Sequence, residues 1–410
     1  MKSIYLLALI CICISVSAFA QTNNTNKVTE NVNSEDSKSL YNTGLRYLRG
    51  NGVAKDSVEA VKWFRKAAEQ GDMDAQYMMG NSYVLGRGVT QDYAEAVKWY
   101  RKAAEQGEID SQVMLGTCYI NGEGVTQDYA EAVKWFRKAA EQGHIEAQNM
   151  MGGLYANGRG VTKDEAEAVK WFKKAAEQGD MITQNKLGMC YYVGYGVTKD
   201  YAEAVKWFRK AAEQGNMDAQ AMLGNCYAIG GGVDRDYAEA VKWLRKAAEQ
   251  GHIEAQALLG SYYYQGLGVT QDYAEAVKWY RKAAEQGNMN AQYMMGGLYA
   301  NGLGVTQDYA EAAKWYRKAA EQGNMDAQAM LGNCYAIGGG VDRDYAEAVK
   351  WFRKAAEQGH IEAQALLGSY YYQGLGVTKN TEEGIRLLKD AAKKGSETAK
   401  DSLKTLNISE

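Results

Sequence analysis

GVTQDYAEAVKWYRKAAEQG, residues 88–107, returns letter for letter at residues 268–287. The stretch reads as a helix with both of its ends written into it. Asp92 places a carboxylate where it caps the free amides of a first turn, and Glu95, three residues on, completes the pattern of a capping box. The helix runs to Gln106 and stops at Gly107, where a left-handed residue is commonly needed. Glu95, Lys98, Lys102 and Glu105 share one face, while Tyr93, Ala96, Val97, Trp99, Tyr100, Ala103 and Ala104 cover most of the remainder. A helix apolar over so wide an arc has to be covered on both sides by neighbours.

The neighbours are supplied by repetition. All nine tryptophans, from Trp63 and Trp99 to Trp351, stand 36 residues apart, with Leu387 in the tenth slot. Ten tyrosines from Tyr47 to Tyr371 and ten glycines from Gly44 to Gly368 keep the same step without slippage. Ahead of the quoted stretch, Asp74 to Leu85 reads as a first helix with Ala75, Met79, Gly80 and Tyr83 on its inner face, broken by Gly86 and Gly88. Small residues at Gly80, Ala96 and Ala103 allow close approach, and Trp99 fills the space between repeats. One such pair cannot bury its own apolar surface, so the stack is the stable object. Asn216 to Thr270 matches Asn324 to Thr378 everywhere except Leu244 against Phe352, an offset of 108 residues, as expected of an array lengthened by three whole repeats.

The pattern Ala75, Met79, Gly80, Tyr83, Gly86, Gly88, Val89, Asp92, Ala96, Trp99, Ala103, Ala104 and Gly107 resembles the Sel1-like repeat, a relative of the tetratricopeptide repeat, over residues 36–395. The resemblance implies an all-α fold, an α-solenoid superhelix of ten 36-residue helix-turn-helix repeats, with a concave surface that binds other proteins. Some secreted relatives are cysteine-rich, with a disulfide in each repeat and penicillin-binding or β-lactam-hydrolysing activity. A cell-wall-related enzyme of that type is therefore the alternative reading, but the paired cysteines are lacking here.

At the ends the composition changes. Residues 1–20 combine Lys2, an apolar run from Ile4 to Phe19 and a small-x-small site before Gln21, the form of a cleaved export signal. Residues 21–35 (QTNNTNKVTENVNSE) are too polar to support a core and read as a disordered leader. Residues 396–410 are expected to form one further helix that closes the last repeat. The expected location is periplasmic or secreted, from a bacterium, with no stable membrane insertion once the signal is removed. With 47 basic against 50 acidic residues, the chain has no basic field for nucleic acid.

Motifs with a chemical look have structural readings. The GxGV turns join two helices rather than following a strand, so they are turns and not phosphate loops. His144, His252 and His360 lie three repeats apart, too far to share a metal. Cys118, Cys190, Cys226 and Cys334 fall at one position of the first helix, about a helix spacing apart at the nearest, beyond disulfide reach. No serine or cysteine has a base and an orienting group beside it. No catalytic residue, metal ligand or cofactor is expected.

Function is expected where the repeats differ. Positions equivalent to 77, 81, 84 and 85 share the first-helix face opposite the inner stripe and would line the concave surface. That face carries Tyr77, Asn81, Asn121, Asn149, Asn157, Asn185, Tyr192, Asn225, Tyr264, Gln265, Asn333 and Tyr372 as partner-binding candidates, none of them charged. Asparagine and glutamine donate and accept, and tyrosine adds apolar area with a polar tip. The expected partner is a protein or peptide presenting an extended, uncharged segment.

Overall fold

A computed structural model describes residues 36–409, and all of their regular structure is helical, with no strand among the described residues. The first ten helices are α1 Ser37–Arg49, α2 Ser57–Glu69, α3 Met73–Leu85, α4 Tyr93–Glu105, α5 Ile109–Asn121, α6 Tyr129–Glu141, α7 Ile145–Asn157, α8 Glu165–Glu177, α9 Met181–Val193 and α10 Tyr201–Glu213. They are followed by α11 Met217–Ile229, α12 Tyr237–Glu249, α13 Ile253–Gln265, α14 Tyr273–Glu285, α15 Met289–Asn301, α16 Tyr309–Glu321, α17 Met325–Ile337, α18 Tyr345–Glu357, α19 Ile361–Gln373, α20 Thr381–Lys393 and α21 Glu397–Thr405. Up to α20, odd-numbered helices are the first of each repeat (A helices) and even-numbered ones the second (B helices). The expected signal at residues 1–20 and the leader at residues 21–35 lie outside the described residues.

The contacts group these residues into two compact bodies, one running through Ser111 with Glu123–Val125, the other holding Gln112–Gly122 and everything from Thr126. In the first, α1 packs on α2, α2 on α3 and α3 on α4. In the second the same A-on-B and B-on-next-A order runs from α6 to α20, and α21 closes onto α19 and α20.

Thirteen-residue helices recur because the caps recur. Asp72 accepts from the amide of Ala75 at 2.8 Å to start α3, one residue before the start expected from sequence. Asp92 accepts from the amides of Ala94 and Glu95 at 2.9 and 3.1 Å to start α4. The second half of the expected capping box is absent. The Asp92 amide is already spent on the Tyr83 carbonyl across the turn at 3.0 Å, and the Glu95 carboxylate pairs with Lys98 instead.

Packing explains the periodic glycines and aromatics. The Tyr100 ring lies on α3 over Gly80, where a Cβ would meet its carbons at 2.4 Å, and Phe208 lies over Gly188 in the same way, at 2.6 Å. Each such ring fills the seat its own A helix leaves open. Trp243 joins Phe208 of the repeat before it and Leu223 and Cys226 of its own A helix in one cluster, as Trp99 packs with Phe64 and Leu40 of the repeat before it. Each large apolar side chain buried in this way stabilises by about 1.5–3 kcal/mol.

Turns and polar side chains complete each junction. Gly268 stands at φ 69 with its Cα so near α12 that a Cβ would fall 2.3 Å from the Tyr237 carbonyl. Gln256, only 3% exposed, donates to the Ala248 carbonyl at 3.0 Å and accepts from Gln286 at 2.7 Å, tying α12, α13 and α14 together. Gln76 makes the same pair of bonds, to Ala68 and from Gln106, in the first body. An Arg–Tyr bond accompanies it, from Arg65 to Tyr83 at 2.8 Å and from Arg281 to Tyr299 at 2.7 Å. At the end of the array charged groups take over the rung: Lys394 donates to Gln364 at 3.1 Å, and Gln364 donates to Asp390 at 2.6 Å.

Candidate interaction surface

The structure sorts the candidate positions by depth. The row at the end of each A helix is open: Asn121, Asn157 and Gln265 are exposed, as are Val193, Ile229 and Ile337 at the equivalent places, 58%, 62% and 77% accessible. One turn back, Asn81, Asn225 and Asn333 are half-buried, and Asn81 accepts from the Tyr100 hydroxyl at 2.7 Å. Tyr77 is 8% exposed with its ring beside Tyr100, so it is a packing residue first. Tyr192, Tyr264 and Tyr372 are half-buried; Tyr192 stands edge-on to Tyr201 with ring centroids 5.0 Å apart, and Tyr264 to Tyr273 at 5.3 Å. Asn149 and Asn185 are half-buried, the first accepting from Lys186 at 2.9 Å and the second holding its Oδ1 buried without a partner. The B-helix ring seated on the A-helix glycine closes over the nearest of these positions, which a helical wheel alone does not reveal.

Lys186 is the residue the sequence reading passed over. Its slot holds Met78, Met114, Met150, Met222, Leu258, Met294, Met330 and Leu366 in other repeats, and that break in pattern was the available signal. Desolvation lowers the Lys186 pKa, partly offset by Asp180.

Opposite in character is the B-helix side. A cavity of about 570 Å³ there is lined by Glu131, Lys134, Trp135, Arg137 and Lys138, with the Lys138 ammonium 4.2 Å from the Trp135 ring centroid. The Trp135 indole N–H is buried without an acceptor, whereas Trp207 and Trp243 each donate to the glutamate four residues earlier, Glu203 and Glu239, at 3.0 Å. Glu131 stands in the corresponding place, so the unmet donor reflects which way that carboxylate turns.

The histidines and cysteines have structural settings. His144, His252 and His360 cap A helices, each Nδ1 accepting from the amide three residues on at 3.1–3.2 Å. Cys190, Cys226 and Cys334 carry free thiols, and burial pushes those of Cys190 and Cys226 up to about 11. Among the described residues no cluster of three or more His, Cys, Asp or Glu is placed to hold a metal ion. None of the described helices is long and apolar enough to cross a membrane.

Comparison with known proteins identifies the repeat. The Sel1 repeat family matches ten consecutive segments, at residues 37–72, 74–108, 109–144, 145–180, 182–216, 218–252, 253–288, 290–324, 326–360 and 361–396. The chain belongs to the Sel1 repeat family. A protective antigen present in uropathogenic Escherichia coli strains, c5321, displays the same Sel1-like repeat fold at 40% identity and a TM-score of 0.80, over 91% of this chain and 80% of that one. A Sel1 repeat protein from Oxalobacter formigenes is similar at 34% identity and a TM-score of 0.63, over 87% of this chain and 99% of that one. No curated protein sequence matches the chain. The fold is thus an all-α solenoid of Sel1 repeats, a scaffold that generally mediates protein–protein interaction and is generally non-catalytic.

Proposed function

We propose that this Sel1 protein is an exported, non-catalytic scaffold that binds an extended segment of a protein or peptide along the outer face of its A helices. The observation that carries the reading is the open row at the A-helix ends, where Asn121, Asn157 and Gln265 stand with Val193, Ile229 and Ile337, none of them charged. Val193 and Ile229 stand on successive A helices, and adjoining exposed apolar side chains, unlike single ones, mark an interaction surface. The neighbouring amides supply hydrogen bonds for a main chain. Charges collect instead on the B helices, in pairs such as Lys206–Glu203 and Lys242–Glu239. The residue pattern before Gln21 supports export.

The test is affinity capture from a bacterial envelope extract with the unaltered chain and with the Asn121→Lys, Asn157→Lys, Gln265→Lys variant. Lysine is tolerated at helix C-termini, so the stack should persist, as circular dichroism would verify. A partner retained by the first and lost by the second supports the reading; equal capture by both would move the site off this face.

A further inference from the structure

Lys186 is the one Lys or Arg within the A helices from α3 to α19, and its surroundings are specific. Lys186 takes a slot that Met150 fills in the repeat before and Met222 in the repeat after. Its ammonium is held by the Asn149 side chain of the preceding repeat at 2.9 Å and lies 5.8 Å from the Phe172 ring centroid. Asp180 is the carboxylate whose charge it feels, but Asp180 is engaged in capping its own helix, accepting from the amide of Thr183 at 2.7 Å and from the Thr183 hydroxyl. The Lys186 side chain is exposed, and an ammonium supported by a neutral amide rather than a carboxylate keeps an unspent demand for an anion.

We propose that the segment docking on the A-helix face carries a carboxylate, an acidic side chain or a free C-terminus, that seats on Lys186 and Asn149. The inference rests on the interaction reading above and fixes register within it: one acidic group over α7 and α9, with uncharged chain to either side. A second requirement follows from the open neighbours. Ile229 lies on the next A helix, so the partner presents apolar side chains on one flank of its acid.

Selection from a random dodecapeptide library displayed on phage, against the full chain, tests this. The expected result is a set of peptides sharing Asp, Glu or a free C-terminus at one position. Affinity should fall about two- to fivefold on Lys186→Met, the worth of an exposed ion pair, and by a similar factor when Asp or Glu in the peptide becomes Asn or Gln. Amidation of the C-terminus separates the two carboxylate sources. Because methionine occupies this slot in both adjacent repeats, the variant is expected to fold, and circular dichroism checks it. Peptides that bind without an acidic preference, ignore Lys186→Met and are lost with Asn157→Lys and Gln265→Lys would overturn the acidic seat and leave the interaction reading standing. Peptides insensitive to every change on this face, or no selected peptides at all, would overturn both.

Discussion

Two glycines in one repeat separate backbone strain from contact between repeats. Gly268 and Gly287 both have positive φ, 69 and 96, so alanine is strained at either. Around Gly287 a Cβ meets nothing within 4 Å, while at Gly268 it would lie 2.3 Å from the carbonyl carbon and oxygen of Tyr237 and 2.6 Å from the Ala238 amide nitrogen. The left-handed conformation costs alanine about 1–2 kcal/mol, offset by about 0.4–1 kcal/mol from the stiffer unfolded chain. Gly287→Ala should therefore cost about 1 kcal/mol. Gly268→Ala carries the same strain plus forced separation of two backbones, and overpacking adds about 1–3 kcal/mol, for a total of about 2–4 kcal/mol. Since an array need not unfold in one step, urea denaturation should be read together with hydrogen exchange in α12 and α13. Faster exchange in Gly268→Ala and near-native exchange in Gly287→Ala is the expected contrast. Equal effects in the two variants would refute the claim that the GxG turn is a contact between repeats.

Two further outcomes can be measured on the intact chain. At pH 8, a thiol with a pKa of about 11 is about 0.1% ionised, against roughly a quarter for a free cysteine, so Cys190 and Cys226 should alkylate at least two orders of magnitude more slowly than after unfolding in urea; mass spectrometry of timed samples checks this, and fast labelling of the folded chain would contradict it. On acidification the last repeat should loosen first: Arg386 holds Glu383 below its ordinary pKa, and Lys394 with Gln364 does the same for Asp390. Groups depressed in the folded state contribute stability at neutral pH that is lost as pH falls through the carboxylate range, so α20 and α21 should show a larger rise in exchange, corrected for intrinsic rates, between pH 7 and pH 3.5 than α14 does, and Asp390→Asn should shrink the difference.

Much of this fold is legible in the sequence because its signals are periodic and apolar. The tryptophan and glycine steps of 36 residues identify which surfaces must meet, and Trp243 over Phe208 is such a meeting. Polar residues inside the junction were harder to read. Gln256 sits in an otherwise ordinary helical stretch, and a glutamine there looks like surface until the Ala248 carbonyl and Gln286 are seen to enclose it. Glu95 misled for a related reason: the capping box assumes a free amide at Asp92, and Tyr83, nine residues earlier, already uses it. On the binding face, helical periodicity gives the direction of Tyr77 but not the Tyr100 ring that stands beside it. Lys186 was visible as a departure from Met or Leu, but its significance needed Asn149, 37 residues away, to be placed at its ammonium.

The glutamine rung has a cost in specificity. Because the junctions between residues 216 and 270 repeat those between 324 and 378 almost identically, a chain that looped out three repeats could mate the wrong neighbours and satisfy the same bonds. For a loop of 108 residues the length-dependent part of the closure entropy opposing this is only about 4 kcal/mol. The correct register is thus marked mainly where the uniformity ends, as at Lys394 and Asp390, whose charged rung no internal repeat reproduces. Deleting α20 and α21 would remove the array's terminal address as well as its lid, leaving slipped and swapped assemblies to compete with the native one.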